Sequence, residues 1–328
     1  MKGELIDRFG RRHNNLRISV TDRCNLRCTY CMPEDVSFQP HSQLLTFEEI
    51  TRFARIASDW GVDKLRITGG EPLMRREVYK LVEMLTQLPG IKDVGLTTNG
   101  LLLPEHAQSL FDAGLRRINI SLDTLEREQF QQVARRDELD RVLNGIECAK
   151  RVGFERIKIN AVAIKGITNV VSLAKFCREH GYELRFIEFM PLEAENIWSR
   201  QGVLSADEIL RQLGDAGIPA EAIQKDDPSA PADEYRYLDG RGRLGIIASV
   251  TKPFCGDCNR IRITADGKLR NCLFSLDELD VKTPLRNGAS DDSIAELLKQ
   301  SVSGKWEGHQ INSVHFIRPS RTMHSIGG

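Results

Sequence analysis

LRISVTDRCNLRCTYCMPE, residues 16–34, sets a short β-branched run directly ahead of three cysteines. The run LRISV alternates as a strand does, so Cys24, Cys28 and Cys31 fall on the loop that leaves it. Five similar runs follow: KLRIT (64–68), VGLTTN (94–99), RINISLD (117–123), RIKINAVAI (156–164) and ELRFIEFM (183–190). Between them lie amphipathic stretches such as TFEEITRFARIASDWG (46–61), with apolar residues at three- and four-residue steps before a glycine stop. This alternation predicts an α/β fold, a partial (βα)6 TIM-type barrel two units short of the full eight. Loops after the strands form the rim that carries active sites in that architecture, which is where the cysteines are expected.

Near residue 191 the alternation breaks into a Pro-, Asp- and Ala-rich stretch that reads as linker and loops around one short helix. The expected division is therefore a barrel core over 1–190 and a smaller C-terminal α+β region over 191–328. The second region contains LGIIASV, a hairpin RIRITADGKLRNCLF turning at Asp266-Gly267, a last helix DDSIAELLKQ and an Arg-rich tail ending in Gly327-Gly328.

The 328 residues carry 46 basic and 46 acidic side chains, so no net field draws the chain to nucleic acid or to an anionic membrane. No apolar run is long enough to span a membrane, and the N-terminus lacks a signal peptide, so a cytoplasmic protein is expected. In that reducing compartment eight cysteines point to metal rather than disulfides, since six fall into two tight groups. Cys148 and Cys177 stand alone in helical patterns and read as small apolar residues. No Ser-His-Asp set or P-loop supports a hydrolase or a GTPase.

Strand residues two apart share a face, which makes the inner surface of the barrel readable. One face carries Arg17 and Ser19, Arg66 and Thr68, Thr97 and Asn99, Asn119 and Ser121, then Lys158 and Asn160. The other carries Ile18, Val20, Leu65, Ile67, Ile118, Ile120, Ile157 and Ile159, which suits packing against helices. Unpaired cations in a closed apolar interior would cost several kcal/mol each. Either the interior is a wet or ligand-filled cavity, or this face looks outward to solvent.

Three thiolates suit zinc or iron-sulfur. Zinc at a structural site wants a fourth ligand, and neither His13 nor His41 has finger-like spacing to the first group. Three ligands on a 4Fe-4S cluster leave one iron open to a bidentate molecule. The second group, Cys255, Cys258 and Cys272, also stops at three, with the hairpin returning the third thiol to the first two. Zinc and a second three-ligand cluster both remain open there, with His309 and His315 far along the tail.

Cys24, Cys28, Tyr30 and Cys31 match the CxxxCxΦC pattern, with Φ an aromatic residue, and the first group resembles that of the radical S-adenosylmethionine (SAM) superfamily. Gly69-Gly70-Glu71-Pro72 after the second strand resembles the superfamily's GGEP segment. End to end, through TTNG (97–100), ISLD (120–123), RFIEFMP (185–191), FCGDCNRIRIT with Cys272, and the terminal Gly-Gly, the chain resembles the GTP 3',8-cyclase family.

That resemblance implies two 4Fe-4S clusters, one on Cys24, Cys28 and Cys31 and one on Cys255, Cys258 and Cys272. It implies a SAM site at Tyr30, Gly70, Ser121 and Met190, and GTP contacts at Arg17, Arg66, Thr97, Lys158, Arg260, Ile261 and Arg262. The implied reaction removes hydrogen from ribose C3' of GTP and joins that carbon to C8 of guanine, the first step towards the molybdenum cofactor. Partners implied are an unidentified electron donor and the downstream cyclic pyranopterin monophosphate synthase, MoaC, with monomer and homodimer both open. Gly327 and Gly328 would read as a free terminus by themselves, whereas the resemblance brings them into the active site. Two rivals stand beside this reading: a radical SAM enzyme acting on a peptide or another small molecule, and a zinc-stabilised binding protein.

Overall fold

Side chains that alternate between β-branched and polar fold into six parallel strands, paired in sequence order: β1 (Asn15–Ser19), β2 (Lys64–Thr68), β3 (Asp93–Thr98), β4 (Arg117–Ser121), β5 (Arg156–Ala163) and β6 (Glu183–Glu188). The computed structural model describes residues 2–193 and 195–327. Register sets Ile18, Ile67, Leu96, Ile118 and Ile157 side by side, and this buried row faces the helices. On the other face Arg17, Arg66, Gly95 and Arg117 share a row. A Cβ on Gly95 would come within 2.2 Å of Arg66 Nη1, so the glycine leaves the room that this guanidinium takes.

The helical layer is α1 (Phe47–Asp59), α2 (Val78–Thr86), α3 (Leu103–Asp112), α4 (Arg127–Ala134), α5 (Leu139–Val152) and α6 (Val170–His180). Their starts and stops follow local chemistry. Thr46 and Glu49 form a capping box at the head of α1, while Gly153 and Gly181 end α5 and α6 with positive φ. Ile50, Phe53, Ala54, Ile56 and Ala57 form the buried face of α1 and join the main core between sheet and helices.

After β6 come α7 (Ala206–Asp215), β7 (Ala220–Ile223), β8 (Asp233–Tyr237), β9 (Arg243–Ile247), β10 (Arg260–Ile263), β11 (Lys268–Arg270), β12 (Leu279–Asp280), α8 (Lys282–Arg286), α9 (Asp291–Ser303) and α10 (Met323–Ile326). These strands extend the same sheet at both edges, in the order β12-β11-β10-β1-β2-β3-β4-β5-β6-β9-β8-β7. β10 runs parallel to β1 and β9 parallel to β6, so the parallel block has eight strands among the described residues. Residues from all eight line one cavity, so the sheet curls around it. The chain is thus an α/β protein built on a parallel-rich sheet. The stretch after residue 191 holds more structure than a linker, because β7 and β8 form an antiparallel edge there. Among the described residues no helix is long and apolar enough to cross a membrane.

Candidate active site

The cysteine loop is held from below by the glycines that follow β2. Gly70 N donates to Thr21 O at 2.7 Å and Glu71 N to Arg23 O at 2.7 Å. A Cβ on Gly70 would lie 2.4 Å from Arg23 O and 2.6 Å from Asp22 O, so only glycine permits this approach. Glu71, fully buried, accepts from Leu73 N (2.9 Å), Thr98 Oγ1 (2.7 Å) and Asn99 N (2.7 Å). Burial pushes its carboxyl up to about 7 against these donors. Asn99 in turn donates to Asn25 Oδ1 at 2.7 Å and reaches Cys24 Sγ at 3.7 Å. Cysteine loop, GGEP and TTNG are therefore one hydrogen-bonded assembly.

Cys24, Cys28 and Cys31 are unpaired thiols on the rim of a cavity of about 300 Å³. Burial pushes Cys24 up to about 11 and also raises Cys28 and Cys31, and each of Cys24 and Cys31 adds to the shift on Cys28. Thiols raised by burial, with Arg27 opposing the rise at Cys24, become thiolates against a positive body, and iron in a cluster is such a body. The donor set therefore fits. Among the described residues no three His, Cys, Asp or Glu side chains gather as a set for a single ion. A multi-iron cluster asks for a wider spacing of thiolates than one tetrahedral zinc.

Tyr30, Gly70, Ser121 and Met190 all line the same cavity. Tyr30 Oη donates to Asp123 Oδ2 at 2.7 Å, and Asp123 Oδ1 accepts from Val162 N at 2.8 Å. Burial raises the Asp123 carboxyl to about 6.

Opposite the first cysteines stands the second group, also on this cavity. Cys255 and Cys258 precede β10 and Cys272 follows β11, so the hairpin does return the third thiol. Cys258 Sγ accepts from Arg260 Nη2 at 3.2 Å and from Lys305 Nζ at 3.3 Å. Burial raises this thiol, but the two cations outweigh it and bring Cys258 down to about 6. Arg11 donates to Cys255 O at 2.7 Å and fixes the loop from outside.

Between the two groups the inner face is cationic. Burial lowers Arg17, and Arg262, Arg260, Arg66 and Arg185 each lower it further by like-charge repulsion. Burial likewise brings Arg66 to about 9 and Arg262 to about 10. Arg17 Nε, Arg66 Nη1, Arg185 Nε and Asn160 Oδ1 are buried without a hydrogen-bond partner among the described residues. Arg17, Thr97, Arg260 and Arg262 line the cavity directly, whereas Arg66 and Lys158 sit in the sheet below it, and Lys158 pairs with Glu183. Ile261 points the other way, fully buried in the main core, so only its backbone can face a ligand.

The tail reaches the inner face at Gly327. Arg262 Nη1 donates to Gly327 O at 2.6 Å, and Gly327 has φ 89°. A Cβ there would lie 2.7 Å from Ser19 Cβ. Gly328 lies outside the described residues.

Residues 18–177 match the profile of the radical SAM superfamily, and residues 182–311 match that described as Molybdenum Cofactor Synthesis C. A protein of Rhodopirellula baltica named GTP 3',8-cyclase is 51% identical over 99% of this chain and 92% of its own length. The chain belongs to the GTP 3',8-cyclase family. A second relative of that name, from Rhodococcus opacus, is 44% identical over 99% of this chain and 93% of its own. Among solved structures, Streptococcus suis SuiB bound to S-adenosylmethionine superposes with TM-score 0.62 at 19% identity, covering 94% of this chain and 76% of SuiB. The structure of anSMEcpe with bound AdoMet gives 0.59 at 16% identity, covering 90% and 79%. At such identity the two establish the fold alone.

Within this family site, several polar groups escaped the sequence reading. Arg185 continues the inner face onto β6, and the same alternation, carried one strand further, finds it. Glu71 and Asp123 sit inside quoted motifs and Asn99 belongs to the inner face already read, yet the hydrogen bonds of all three cross between loops that no local pattern joins. Arg11 and Lys305 act over 244 and 47 residues of sequence and leave no signal of their own.

Proposed function

We propose that the chain is a radical SAM GTP 3',8-cyclase, converting GTP to (8S)-3',8-cyclo-7,8-dihydroguanosine 5'-triphosphate at the start of molybdenum cofactor biosynthesis. The observation that carries this is one cavity faced by two cysteine triads with a row of unmatched arginines between them. Cys24, Cys28 and Cys31 hold the cluster that binds SAM, beside Tyr30, Gly70, Ser121 and Met190, and Cys255, Cys258 and Cys272 hold the second. Reductive cleavage of SAM at the first site supplies a 5'-deoxyadenosyl radical.

The protein's own residues supply position and shielding. Arg17, Arg260 and Arg262, with Arg66, Arg185 and Lys158 beneath, match a triphosphate through charge-assisted bonds, and Thr97 adds a hydroxyl. A bound triphosphate offsets the repulsion that burial imposes on these cations. Holding guanine against the second site fixes C8 near ribose C3', and orientation of that kind lowers a barrier by several kcal/mol. Gly327 enters where any side chain would strike Ser19, so a tail without side chains fits beside the substrate.

A cytoplasmic setting, an external electron donor and delivery of the product to a separate synthase, MoaC, complete the reading. Oligomeric state, monomer or homodimer, plays no part in it. Reconstituted, reduced protein incubated without air with SAM and GTP is expected to yield 5'-deoxyadenosine and an isomer of GTP. Cleavage of SAM with GTP untouched would leave the superfamily chemistry standing and overturn the substrate, favouring a peptide or another small molecule. A colourless, iron-free preparation would favour the zinc-stabilised binding protein.

A further inference from the structure

Lys305, just beyond α9, is 2% exposed, although lysine almost never buries its ammonium without an anion. Its Nζ donates to Arg260 O at 2.8 Å, to Cys258 O at 3.3 Å and to Cys258 Sγ at 3.3 Å. Two of those acceptors are neutral carbonyls, and among the described residues no carboxylate pairs with it. Among the described residues the groups acting on it that can carry negative charge are the Cys258 sulfur, in contact, and the Cys272 sulfur farther off. Arg260 Nη2 points at the same sulfur from 3.2 Å.

The first triad has different surroundings. Cys24 Sγ accepts from a backbone N–H of Leu26 at 3.4 Å and from the Asn99 amide at 3.7 Å, both neutral donors. The carboxyl groups of Glu71 and Asp123 act on Cys24 and Cys28 respectively, and Arg27, which opposes Glu71 at Cys24, bonds to the Cys24 carbonyl at 2.7 Å and not to its sulfur. One cavity thus holds two cysteine triads, one beside carboxyl groups and one beside two directed cations. A loop staple alone would need only a neutral donor for the carbonyls of Cys258 and Arg260. Burying an ammonium costs far more than burying an amide, so its presence calls for a role in which the charge matters.

We propose that Lys305 is a positioning residue that, together with Arg260, sets the charge around the second triad and raises the reduction potential of the cluster held there relative to the first. This rests on the reading that Cys255, Cys258 and Cys272 hold a cluster. Positive charge and N–H donors at a ligand sulfur favour the more reduced, more negative state of a cluster, and Lys305 supplies both through one atom.

The test is a redox titration of the reconstituted full-length protein followed by electron paramagnetic resonance, with the second-site signal identified as the one lost in Cys255→Ala. Lys305→Gln keeps a donor of similar reach and removes the charge. We expect it to move the second-site midpoint to more negative potential and leave the first-site midpoint where it was, with Lys305→Arg restoring the shift. Loss of the second-site signal in Lys305→Gln alone, with Lys305→Arg retaining it, also supports the role of charge. An unmoved second-site midpoint, an equal shift at both sites, or loss of the signal in both variants overturns the proposal. If Cys255→Ala removes neither iron nor signal, the second triad holds no cluster, and the reading beneath the proposal falls with it.

Discussion

Arg17 is the side chain in which the conflict between folding and binding is sharpest. It sits among four other arginines, its Nε has no hydrogen-bond partner, and no carboxylate among the described residues pairs with it. For the empty protein such a cation is a cost; for a triphosphate complex it is an asset. Replacing it should therefore move stability and binding in opposite directions. Arg17→Met is expected to leave the melting temperature unchanged or raise it, because repulsion with Arg262, Arg260, Arg66 and Arg185 is relieved. The same change should raise KM or Kd for GTP about 10- to 100-fold, the weight of one charge-assisted hydrogen bond at ~1.5–3 kcal/mol. Thermal unfolding and GTP binding measured on the same anaerobic preparation check both signs. A variant that is less stable and still binds GTP normally would mean that Arg17 serves the fold and not the substrate.

At the scale of elements, the N-terminal segment before β1 is the piece least expected to matter and among the most constrained. His13 N donates to Leu5 O at 2.8 Å, and Arg11, paired with Asp7, reaches across to Cys255 O. His13 is fully buried, with Nδ1 bonded to Arg11 O at 2.9 Å and Nε2 without a hydrogen-bond partner, 3.8 Å from Asp7 Oδ2; burial with Lys305 nearby outweighs Asp7 and lowers it from 6.5 to about 3. In the fold the ring thus stays neutral where the unfolded chain takes up a proton. Its contribution to stability is whole above pH 6.5 and is lost as pH falls from 6.5 towards 3. The slope is ~1.4 kcal/mol per pH unit. We expect the melting temperature to fall more between pH 7.5 and 5.5 in the native protein than in His13→Gln; equal falls would place the acid sensitivity elsewhere. The strands and the cysteine loops were legible because alternation and spacing are local and repeat. What stayed illegible has a physical reason in each case. β7, with the sequence AEAI, lacks β-branched residues apart from its last, and β8 follows a Pro-rich turn, so neither stands out before it pairs at the sheet edge. Arg11, Glu71 and Lys305 work through contacts made only after the chain has closed on itself.

Across the whole molecule, the tail joins everything the sheet keeps apart. Arg321 bonds to Asp266 at the turn of the β10–β11 hairpin, Met323 N donates to Leu192 O beyond β6, and Ile326 packs in the second core with Phe189, Val250 and Phe274. These contacts bring both edges of the parallel block together and leave Gly327 on the inner face, its carbonyl on Arg262. Apart from the bond from Arg262 to Gly327 O, these anchors lie before Gly327, so removing the last two residues leaves them in place. We expect a chain ending at Ile326 to keep the iron content and SAM affinity of the full protein, since the cysteine loop, GGEP and TTNG are tied to one another and the tail's own contact with Cys31, through His324, is retained. Conversion of GTP should fall by about a hundredfold or more, the scale of loss when a positioning group beside the reacting atoms is withdrawn. Gly327→Ala should approach the same loss, because its Cβ would stand 2.7 Å from Ser19 Cβ and its backbone has φ 89°. Iron analysis, SAM binding and product formation on the three proteins decide the matter. Full turnover by the truncated chain would make the tail a strap that closes the sheet and nothing more, whereas loss of iron together with activity would make it part of the cluster site.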